Sequence, residues 1–600
     1  MVKISYLDGP RLFNALAAGA ETLFGEREEL NRINVFPVPD GDTGNNLTAT
    51  VASIVGDTEV KPSLQATADS IADAALVGAR GNSGLILAQY FYGISQEVAG
   101  RHRIEVHSLG DLFAGAVRYA REAIGNPVEG TLLTVLEEWS SAVKCLQEKY
   151  RDLADLIPAS LDAARTSLQS TTSRLRALRE ANVVDAGGKG FVAMLEGISD
   201  FIRSGRLRSI AEITDAPREI VEEHSAYHGE VVHRYCTEAV LTGENLNLHD
   251  LRRRLESYGD SVIVSGHEQK VHFHLHSNQP EELFRELDPL GTFQRPKAED
   301  MIRQVEAGRR MKPQIALVTD STCDLPAETL DRFNIHMIPV QLAFGDSHYL
   351  DKFTITPDIF YRKLESSSLR PTTSQPSVSA FESLFTFLAD HYDSIIAIHL
   401  SAALSGTWNA ARMAAERITS VPITVIDSRT LTASLGLIVL EVAEAIERGL
   451  SYAEVVDLIN NTISRSRVLV GVKTLKYMVR GGRVSPVLGV VGSLLNLKPI
   501  VTLDEDGKGT TFGKAHSQRG TLRSIEGEIG ELVRGNGIKR YAVVHASDPA
   551  RAADWAGDLT GITGMAPDYI IDISPVIGLN AGVGSLGVCL LENDCNNQAT

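Results

Sequence analysis

The first third of the chain is defined by the stretch Asn34-Val-Phe-Pro-Val-Pro-Asp40-Gly-Asp42-Thr-Gly-Asn45-Asn46. Two carboxylates, Asp40 and Asp42, lie two residues apart on a predicted turn. Two prolines restrict the backbone before it, and two glycines give it conformational freedom. This spacing suits Mg²⁺, which takes one or two protein carboxylates and leaves its other positions to water and phosphate oxygens. An isolated Asp-Gly-Asp is more often an ordinary surface turn, so the interpretation depends on the motifs that accompany it.

Three glycine-rich loops accompany this turn within residues 1–205, a region where apolar residues recur mostly at helical spacing. The loops span residues 78–84, 127–131 and 185–190, and each comes directly before a predicted helix. Backbone N–H groups at the N-terminus of a helix attract anions, and Ser83 adds a hydroxyl donor to the first loop. One such loop alone is more often a helix cap, but three beside an Asp-x-Asp turn favour a phosphate-binding helical domain.

Residues 206–312 are predicted to form a small α+β module with a candidate metal site. His272, His274 and His276 alternate along one predicted strand of a hairpin, so their side chains share one face of the sheet. Together with Cys236 they offer a thiolate and two or three imidazoles, a ligand set that Zn²⁺ accepts with one position left open. The competing interpretation is a polar strand face beside a buried structural cysteine.

Residues 313–597 are predicted to form an α/β region, because buried-type strands alternate with helices from this point onward. Such alternation is typical of mostly parallel sheets, and the length of the region allows two lobes. The basic pair Arg309-Arg310, followed by Pro313, marks the predicted junction with the module before it.

Composition indicates a globular protein of several domains, since 600 residues exceed what one core can organise. The net charge of −18 and the pI near 5.4 argue against a nucleic-acid-binding surface and against electrostatic docking to anionic membranes. No apolar run reaches the ~20 residues that span a bilayer, and the first residues carry no signal-peptide pattern. The five cysteines form no disulfide framework, so we expect a reducing, cytoplasmic location.

The motifs NVFPVPDGDTGNN, GARGNSG, PVEGTLLTV and NVVDAGGKG together resemble the ATP-binding domain of bacterial fatty acid kinases, a relative of the L subunit of dihydroxyacetone kinase. The resemblance covers about residues 1–200 and implies an all-α eight-helix barrel that binds ATP and Mg²⁺ at one end. It implies that Asp40 and Asp42 hold Mg²⁺ bridging the nucleotide phosphates. The dihydroxyacetone kinase relatives have a third aspartate upstream that this chain lacks, and Asn34 is the candidate replacement. The remaining residues expected at the nucleotide are Asn45, Asn46, Ser83, Gly84, Thr131, Asp185 and Gly187.

The same resemblance continues into the middle module through the motifs YCTE and VHFHLHSN. It implies a metal, expected to be Zn²⁺, held by Cys236, His274 and His276. His272 is then a neighbour of this site.

The last region resembles the DegV family of fatty-acid-binding proteins through the motifs VTDSTCDLP, TTSQPS, LSGT, VIDS and GGR. This resemblance implies a two-lobed α/β domain with an acyl chain buried between the lobes. It also implies that Thr373 and Ser405 bind the head group, and that Arg483 brings positive charge to the transferring phosphoryl group. The usual histidine of the last glycine-rich stretch is Asn580 here, which can donate to a carboxylate but cannot titrate near neutrality. The head-group chemistry or the ligand could therefore differ from the fatty acid case.

These resemblances predict a single-chain fatty acid kinase, in which Mg·ATP phosphorylates the carboxylate of a fatty acid to give an acyl phosphate. Two alternatives stay open: a dihydroxyacetone-type kinase acting on a small hydroxy acceptor, and a non-catalytic lipid-binding sensor with a regulatory nucleotide site. We expect a homodimer, a downstream acyltransferase and transient membrane contact, and we expect no nucleic acid partner and no transmembrane segment.

Overall fold

The computed structural model describes residues 3–36, 41–125, 127–207, 232–309, 315–473, 478 and 498–594. The chain divides into two compact units. The first unit comprises residues 1–280 and 287–309, and the second comprises residues 281–286 and 310–600. Two predicted site residues, Asp40 and Arg483, lie outside the described residues, and their roles stay predictions. Among the described helices, none is both long enough and apolar enough to cross a membrane.

The first part of the first unit is helical, with a two-stranded antiparallel pair of β1 (Tyr6–Asp8) and β2 (Arg103–Glu105). Asp8 starts the first helix by accepting a hydrogen bond from the Arg11 backbone N–H at 3.0 Å. The helices are α1 (Gly9–Gly25), α2 (Arg27–Arg32), α3 (Thr43–Asp57), α4 (Leu64–Gly78), α5 (Gly81–Val98), α6 (Leu109–Glu122), α7 (Leu132–Leu146), α8 (Leu153–Arg174), α9 (Arg176–Ala181) and α10 (Ala186–Ser204).

Eight of these helices have at least 14 residues, and they form a closed ring around one apolar core. Following the ring, α1 packs on α10, then come α8, α7, α6, α5, α4 and α3, and α3 returns to α1. The expected all-α barrel is therefore present. The helices close on one another because each buries an apolar face, as the recurring leucines and alanines require.

The middle module is a four-stranded antiparallel sheet in the order β4-β5-β3-β6. The predicted hairpin is confirmed, with its turn between His267 and Lys270 rather than at Gly266, which is paired within the sheet. The elements of this module are β3 (Tyr235–Gly243), α11 (Leu248–Leu255), β4 (Gly259–His267), β5 (Lys270–Ser277), α12 (Pro280–Leu287), β6 (Gly291–Asp300) and α13 (Met301–Arg309).

The sheet is anchored on the helical barrel within the first unit. The Gln89 side-chain oxygen of α5 accepts hydrogen bonds from the Ser265 hydroxyl and the Gly266 N–H, both at 2.8 Å. Ile263 of β4 belongs to the same apolar core as the barrel helices. One face of the sheet is thereby held against one end of the barrel.

The second unit contains two larger sheets, of four and six strands, that differ in topology, and a smaller sheet of three strands. The first is a parallel sheet in the order β13-β12-β7-β8, accompanied by a three-stranded antiparallel sheet, β10-β9-β11. Its elements are β7 (Ala316–Asp320), α14 (Ala327–Arg332), β8 (His336–Ile338), β9 (Gln341–Phe344), β10 (Ser347–Leu350), α15 (Pro357–Ser366), β11 (Pro371–Ser374), α16 (Val378–His391), β12 (Ile395–His399), α17 (Thr407–Ala415) and β13 (Ile423–Asp427).

The other sheet of this unit has six strands in the order β16-β15-β14-β19-β17-β18. Its elements are α18 (Thr432–Glu447), α19 (Tyr452–Ser464), β14 (Ser466–Gly471), β15 (Lys498–Leu503), β16 (Gly509–Ala515), α20 (Gln518–Arg534), β17 (Ile538–His545), α21 (Pro549–Thr563), β18 (Ile570–Asp572), α22 (Pro575–Ala581) and β19 (Leu586–Glu592).

The prediction of mostly parallel sheets is right for the first of these sheets and wrong for the six-stranded one. Among the described strands of that sheet, only β17 and β18 pair in parallel. Strands β14 and β17 run in the same direction, but the last strand, β19, enters between them and is antiparallel to both. Alternation of strands and helices along the sequence does not reveal such an insertion.

Candidate functional site

A small cavity of about 60 Å³ lies where the barrel end meets the sheet of the middle module. Most of its lining residues are polar, and they come from the barrel and from the middle module. The barrel contributes Asn34, Asp42, Thr43, Asn46, Gly81, Asn82 and Ser83, and the module contributes Cys236, Glu238, His274, His276, Lys297, Glu299, Met301 and Gln304.

Asp42 is the residue before the first turn of α3, yet its side chain makes no capping hydrogen bond to that helix. Its carboxylate is half-buried and lines the cavity. Asn46, one turn further along α3, is buried and faces the loop before α5, where Gly81 has a φ of +56°. A methyl group on Gly81 would lie 2.3 Å from Asn46 Nδ2, so glycine is what lets this loop approach α3. The Oδ1 atom of Asn46 is buried and has no hydrogen-bond partner among the described residues.

The N-termini of α5, α7 and α10 converge beside this cavity. A methyl group on Gly187, in the first turn of α10, would lie 2.9 Å from Ser83 Oγ and 3.2 Å from the Leu132 side chain at the start of α7. Gly84 likewise lets α5 approach α3, because a methyl group there would lie 2.4 Å from Thr50 Oγ1. Converging helix N-termini create positive potential and N–H donors, which is the usual environment of a bound phosphate.

Asp185 joins two of these helices. Its carboxylate accepts the Gly188 N–H of its own helix at 2.7 Å and a backbone N–H from Leu132 of α7. Burial raises the pKa of Asp185 to about 6, although both hydrogen bonds act in the opposite direction. Thr131, just before α7, donates its hydroxyl to Val128 O at 2.9 Å.

Not all predicted nucleotide residues reach the cavity. Asn34, Asp42, Asn46 and Ser83 line it. The remaining predicted residues among those described do not line it: Asn45, Gly84, Thr131, Asp185 and Gly187.

The sheet side of the cavity carries the predicted metal cluster. Ligand atoms of Cys236, His274 and His276 all lie within 4.8 Å of one another. The register explains this, because Cys236 of β3 lies opposite His276 of β5, and Glu238 lies opposite His274. Residues two apart on neighbouring strands share one face of a sheet.

Glu238 orients the cluster through one imidazole. Its Oε1 atom accepts the His274 Nδ1–H at 2.8 Å, while His274 Nε2 is buried and has no partner among the described residues. Burial alone would raise the pKa of Glu238, but Lys297 and the His274 hydrogen bond hold it well below its ordinary value. Burial, strengthened by the Glu238 charge, raises the pKa of the Cys236 thiol, and the Asp42 carboxylate is close enough to add to this rise.

The third imidazole has a different position. His272 is buried, and its Nδ1–H donates to Leu76 O at the end of α4 at 3.0 Å. It therefore helps to anchor the sheet on the barrel instead of joining the cluster, although all three histidines share the predicted face.

A second, larger cavity of about 570 Å³ lies within the second unit, and it is mainly apolar. The predicted head-group residues Thr373, Ser405 and Asn580 all line it. Asn580 Nδ2 donates to Val576 O at 3.2 Å, and Ser405 Oγ lies 2.9 Å from Thr407 Oγ1. The apolar part of the wall comes from both sheets and their helices, including Leu400, Leu404, Val468, Val470, Val501, Val544, Val576 and Ile577.

Sequence reasoning missed several residues of the two cavities. His545 ends strand β17 and lines the larger cavity, and burial lowers its pKa. Its position at the carboxyl end of a buried strand was a usable signal, since ligands of α/β folds bind there. Glu238, Lys297 and Glu299 line the smaller cavity, and only the alternation of Glu238 with Cys236 could have indicated one of them.

Comparison with known proteins finds three successive family matches along the chain. Family models match as the DAK2 domain over residues 37–200, the FakA-like middle domain of fatty acid kinase over 232–308, and the DegV family over 314–593. The chain thus carries a DAK2 domain, a FakA-like middle domain and a DegV domain in one polypeptide.

Individual relatives match about half of the chain. An uncharacterised protein of Staphylococcus epidermidis is 32% identical over 314 residues, which is 50% of this chain and 56% of that protein. An uncharacterised protein of Staphylococcus aureus is 31% identical over 50% of this chain and 57% of its own length. The chain therefore matches little more than half the length of these relatives.

Solved structures match the DegV part. DegV, a fatty acid binding protein from Bacillus subtilis, is 30% identical, with a TM-score of 0.44 over 47% of this chain and 100% of that one. A DegV family protein from Thermus thermophilus, described by its fatty acid binding, is 28% identical with the same TM-score and coverage.

Proposed function

We propose that this chain is an ATP-dependent fatty acid kinase that phosphorylates the carboxylate of a fatty acid bound in its own DegV domain. The proposal rests chiefly on the smaller cavity, where the Asp42 carboxylate, unengaged by its own helix, lines the wall together with the N-terminus of α5. The succession of DAK2, FakA-like and DegV domains supports the same assignment. A homodimer and a downstream acyltransferase that consumes the product belong to this proposal.

At the barrel end, Asp42 and Asp40 would hold Mg²⁺, whose charge, when bound, offsets that of the phosphate oxygens. The fit is supported by the donor set of hard oxygens and by Asn46 Oδ1, which is buried without a partner among the described residues. Ser83 and the N–H groups at the start of α5, which line the cavity, would bind the phosphate oxygens. Asp185 accepts N–H groups from the first turns of α7 and α10 and so keeps these two helices together beside α5.

In the DegV domain, the cavity of about 570 Å³ would hold the acyl chain along its apolar wall. The hydroxyls of Thr373 and Ser405 and the amide of Asn580 would donate to the carboxylate. In the transfer, a carboxylate oxygen forms a bond to the γ-phosphorus and the bond to the β,γ-bridging oxygen breaks, so that ADP leaves. The apolar wall would then exclude water from the acyl phosphate.

In the middle domain, Cys236, His274 and His276 would hold Zn²⁺. The set fits because it combines a thiol with two imidazoles and because His274 Nε2 is buried and unpartnered among the described residues. When bound, Zn²⁺ would supply positive charge beside the cavity and cross-link strands β3 and β5. Glu238 would fix the orientation and tautomer of His274.

The proposal is tested by native mass spectrometry of the purified chain, followed by incubation with Mg·ATP, fatty acid and hydroxylamine. We expect a bound fatty acid and formation of its hydroxamate, which traps acyl phosphate. Asp42→Ala should abolish hydroxamate formation. The matched control is Asp57→Ala at the exposed end of the same helix, where Asp57 accepts a hydrogen bond from Ser53 at 2.9 Å, and it should leave the rate unchanged.

Other outcomes would select an alternative. Phosphorylation of dihydroxyacetone without hydroxamate formation would favour a kinase for small hydroxy acceptors. Binding of both ATP and lipid without transfer to either acceptor would favour a lipid-binding sensor.

A further inference from the structure

Strand β6 contributes a lysine, Lys297, to the wall of the smaller cavity. Lys297 is the one lysine or arginine among the described residues that line this cavity. It lies opposite Glu238 of β3, and Glu299 lies opposite Cys236, so both β6 side chains share the face that carries the metal cluster. The side chain is 23% exposed, and it lines the cavity together with Asp42 and Ser83.

The ammonium of Lys297 is already placed by one carboxylate. Its Nζ atom lies 3.1 Å from Glu299 Oε1. An ammonium has three N–H donors and can serve more than one acceptor. A lysine among Asp42, Glu238 and Glu299 could also serve only to neutralise these carboxylates. The experiments below distinguish this explanation from binding of a phosphate.

We infer that Lys297 binds an oxygen of the γ-phosphoryl group and stabilises the charge that spreads over this group during transfer. This inference rests on the proposed function. Lys297, in the first unit, would thus supply the positive charge at the transferring phosphoryl group that the resemblance assigned to Arg483. The step needs no proton from Lys297, because the bond that forms joins the carboxylate to phosphorus and the one that breaks frees ADP. A fixed cation on the transferring group is the usual means of stabilising this transition state.

The first test compares nucleotides that differ only in the γ-phosphate. Lys297→Met should weaken binding of a non-hydrolysable ATP analogue about tenfold or more and leave ADP binding unchanged. The rate of hydroxamate formation should fall about 100-fold, and Lys297→Arg should recover part of it. Zinc content and melting temperature, measured on each variant, report whether the fold is kept.

The second test removes the ion-pair partner as well. If Lys297 only neutralises Glu299, Lys297→Met combined with Glu299→Gln should regain the wild-type rate, which would overturn the inference. If Lys297 acts only by keeping Glu238 ionised, the zinc content of Lys297→Met should fall in parallel with its rate, which would also overturn it. We expect the double variant to stay as slow as Lys297→Met. Equal effects of Lys297→Met on the ATP analogue and on ADP would also overturn it.

A third measurement needs no substitution and so does not depend on folding of a variant. In the wild-type chain, the ATP analogue should protect Lys297 from acetylation, as read by mass spectrometry, whereas ADP should not. The exposed Lys144 on α7 serves as the internal control and should react equally in both samples. Equal acetylation of Lys297 with both nucleotides would contradict the inference, while absence of any ATP binding by the wild type would instead contradict the proposed function.

Discussion

Glu238→Gln is the substitution that tests the proposed metal site most sharply. The wild-type carboxylate accepts the His274 Nδ1–H at 2.8 Å and is kept ionised, so the lone pair of the imidazole stays on Nε2. Glutamine has nearly the same shape but is neutral, and its amide can also donate to Nδ1. Donation would move the imidazole proton to Nε2 and remove the lone pair that a metal needs.

The expected magnitude follows from this one contact. A hydrogen bond to a charged group contributes about 1.5–3 kcal/mol, and one between neutral groups contributes about 0.5–1.5 kcal/mol. The loss is therefore about 1–1.5 kcal/mol, which corresponds to about tenfold in affinity. The change of tautomer adds to this, so we expect Zn²⁺ affinity to fall between about 10-fold and 100-fold, as for other outer-shell residues.

The assay is competition for Zn²⁺ with a chromophoric chelator at fixed pH, with circular dichroism to confirm folding. Glu299→Gln is the matched control, because it removes one charge from the same sheet face but from a residue that pairs with Lys297. We expect the control to change affinity less than about threefold. A Glu238→Gln protein that stays folded and binds Zn²⁺ as tightly as the control would refute the assignment of Glu238.

Three further predictions concern stability and the larger cavity. Because the folded pKa of Asp185 is about 6 and its unperturbed value is 3.8, its carboxyl binds protons more tightly when folded, so stability is lost as pH rises through 6. Urea unfolding of Asp185→Asn should therefore lack about 2–3 kcal/mol of this pH dependence between pH 4 and 7; an identical profile would contradict the burial of an ionising carboxyl. Gly81→Ala should lower the free energy of unfolding by about 2–4 kcal/mol, because strain at positive φ adds to the clash with Asn46. The control Gly205→Ala, with a φ of +65° and open space around it, should lose only about 1 kcal/mol, and equal losses would exclude the clash. Val470→Phe should shorten the fatty acids that co-purify, as read by native mass spectrometry, without changing ATP binding; an unchanged lipid profile would place the acyl chain elsewhere.

The elements that sequence analysis predicted best are those decided by local pattern. Helical spacing and the glycine loops predicted a helical domain, and the family resemblance implied that it is a barrel. The strand pattern around the alternating histidines predicted the hairpin β4–β5. Strand β6 was missed, because Gly291–Asp300 includes Pro296 and several charges and shows no apolar alternation. Its place in the sheet is decided by pairing with β3, which is a tertiary effect.

The same limit applies to the sites. Strand periodicity predicted that His274 and His276 share one face, and the resemblance grouped them with Cys236, whose ligand atom lies within 4.8 Å of theirs. It could not show that a carbonyl from Leu76, 196 residues earlier, engages His272. Nor could it show that Asp185 commits its carboxylate to two helix N-termini, since its second donor, Leu132, comes from another helix. Contacts with distant segments therefore give some residues of a motif a chemical role and others a structural role.

The proposed function depends above all on transfer of the γ-phosphoryl group to a carboxylate oxygen, and an isotope label follows that oxygen. A fatty acid carrying a heavy oxygen isotope in both carboxylate positions is incubated with the full chain, Mg·ATP and hydroxylamine. Hydroxylamine attacks the carbonyl carbon of an acyl phosphate, so the bridging oxygen leaves with phosphate. We expect phosphate with one heavy oxygen, in an amount equal to the hydroxamate formed. Unlabelled phosphate without hydroxamate would mean that water is the acceptor, and would contradict the proposed function.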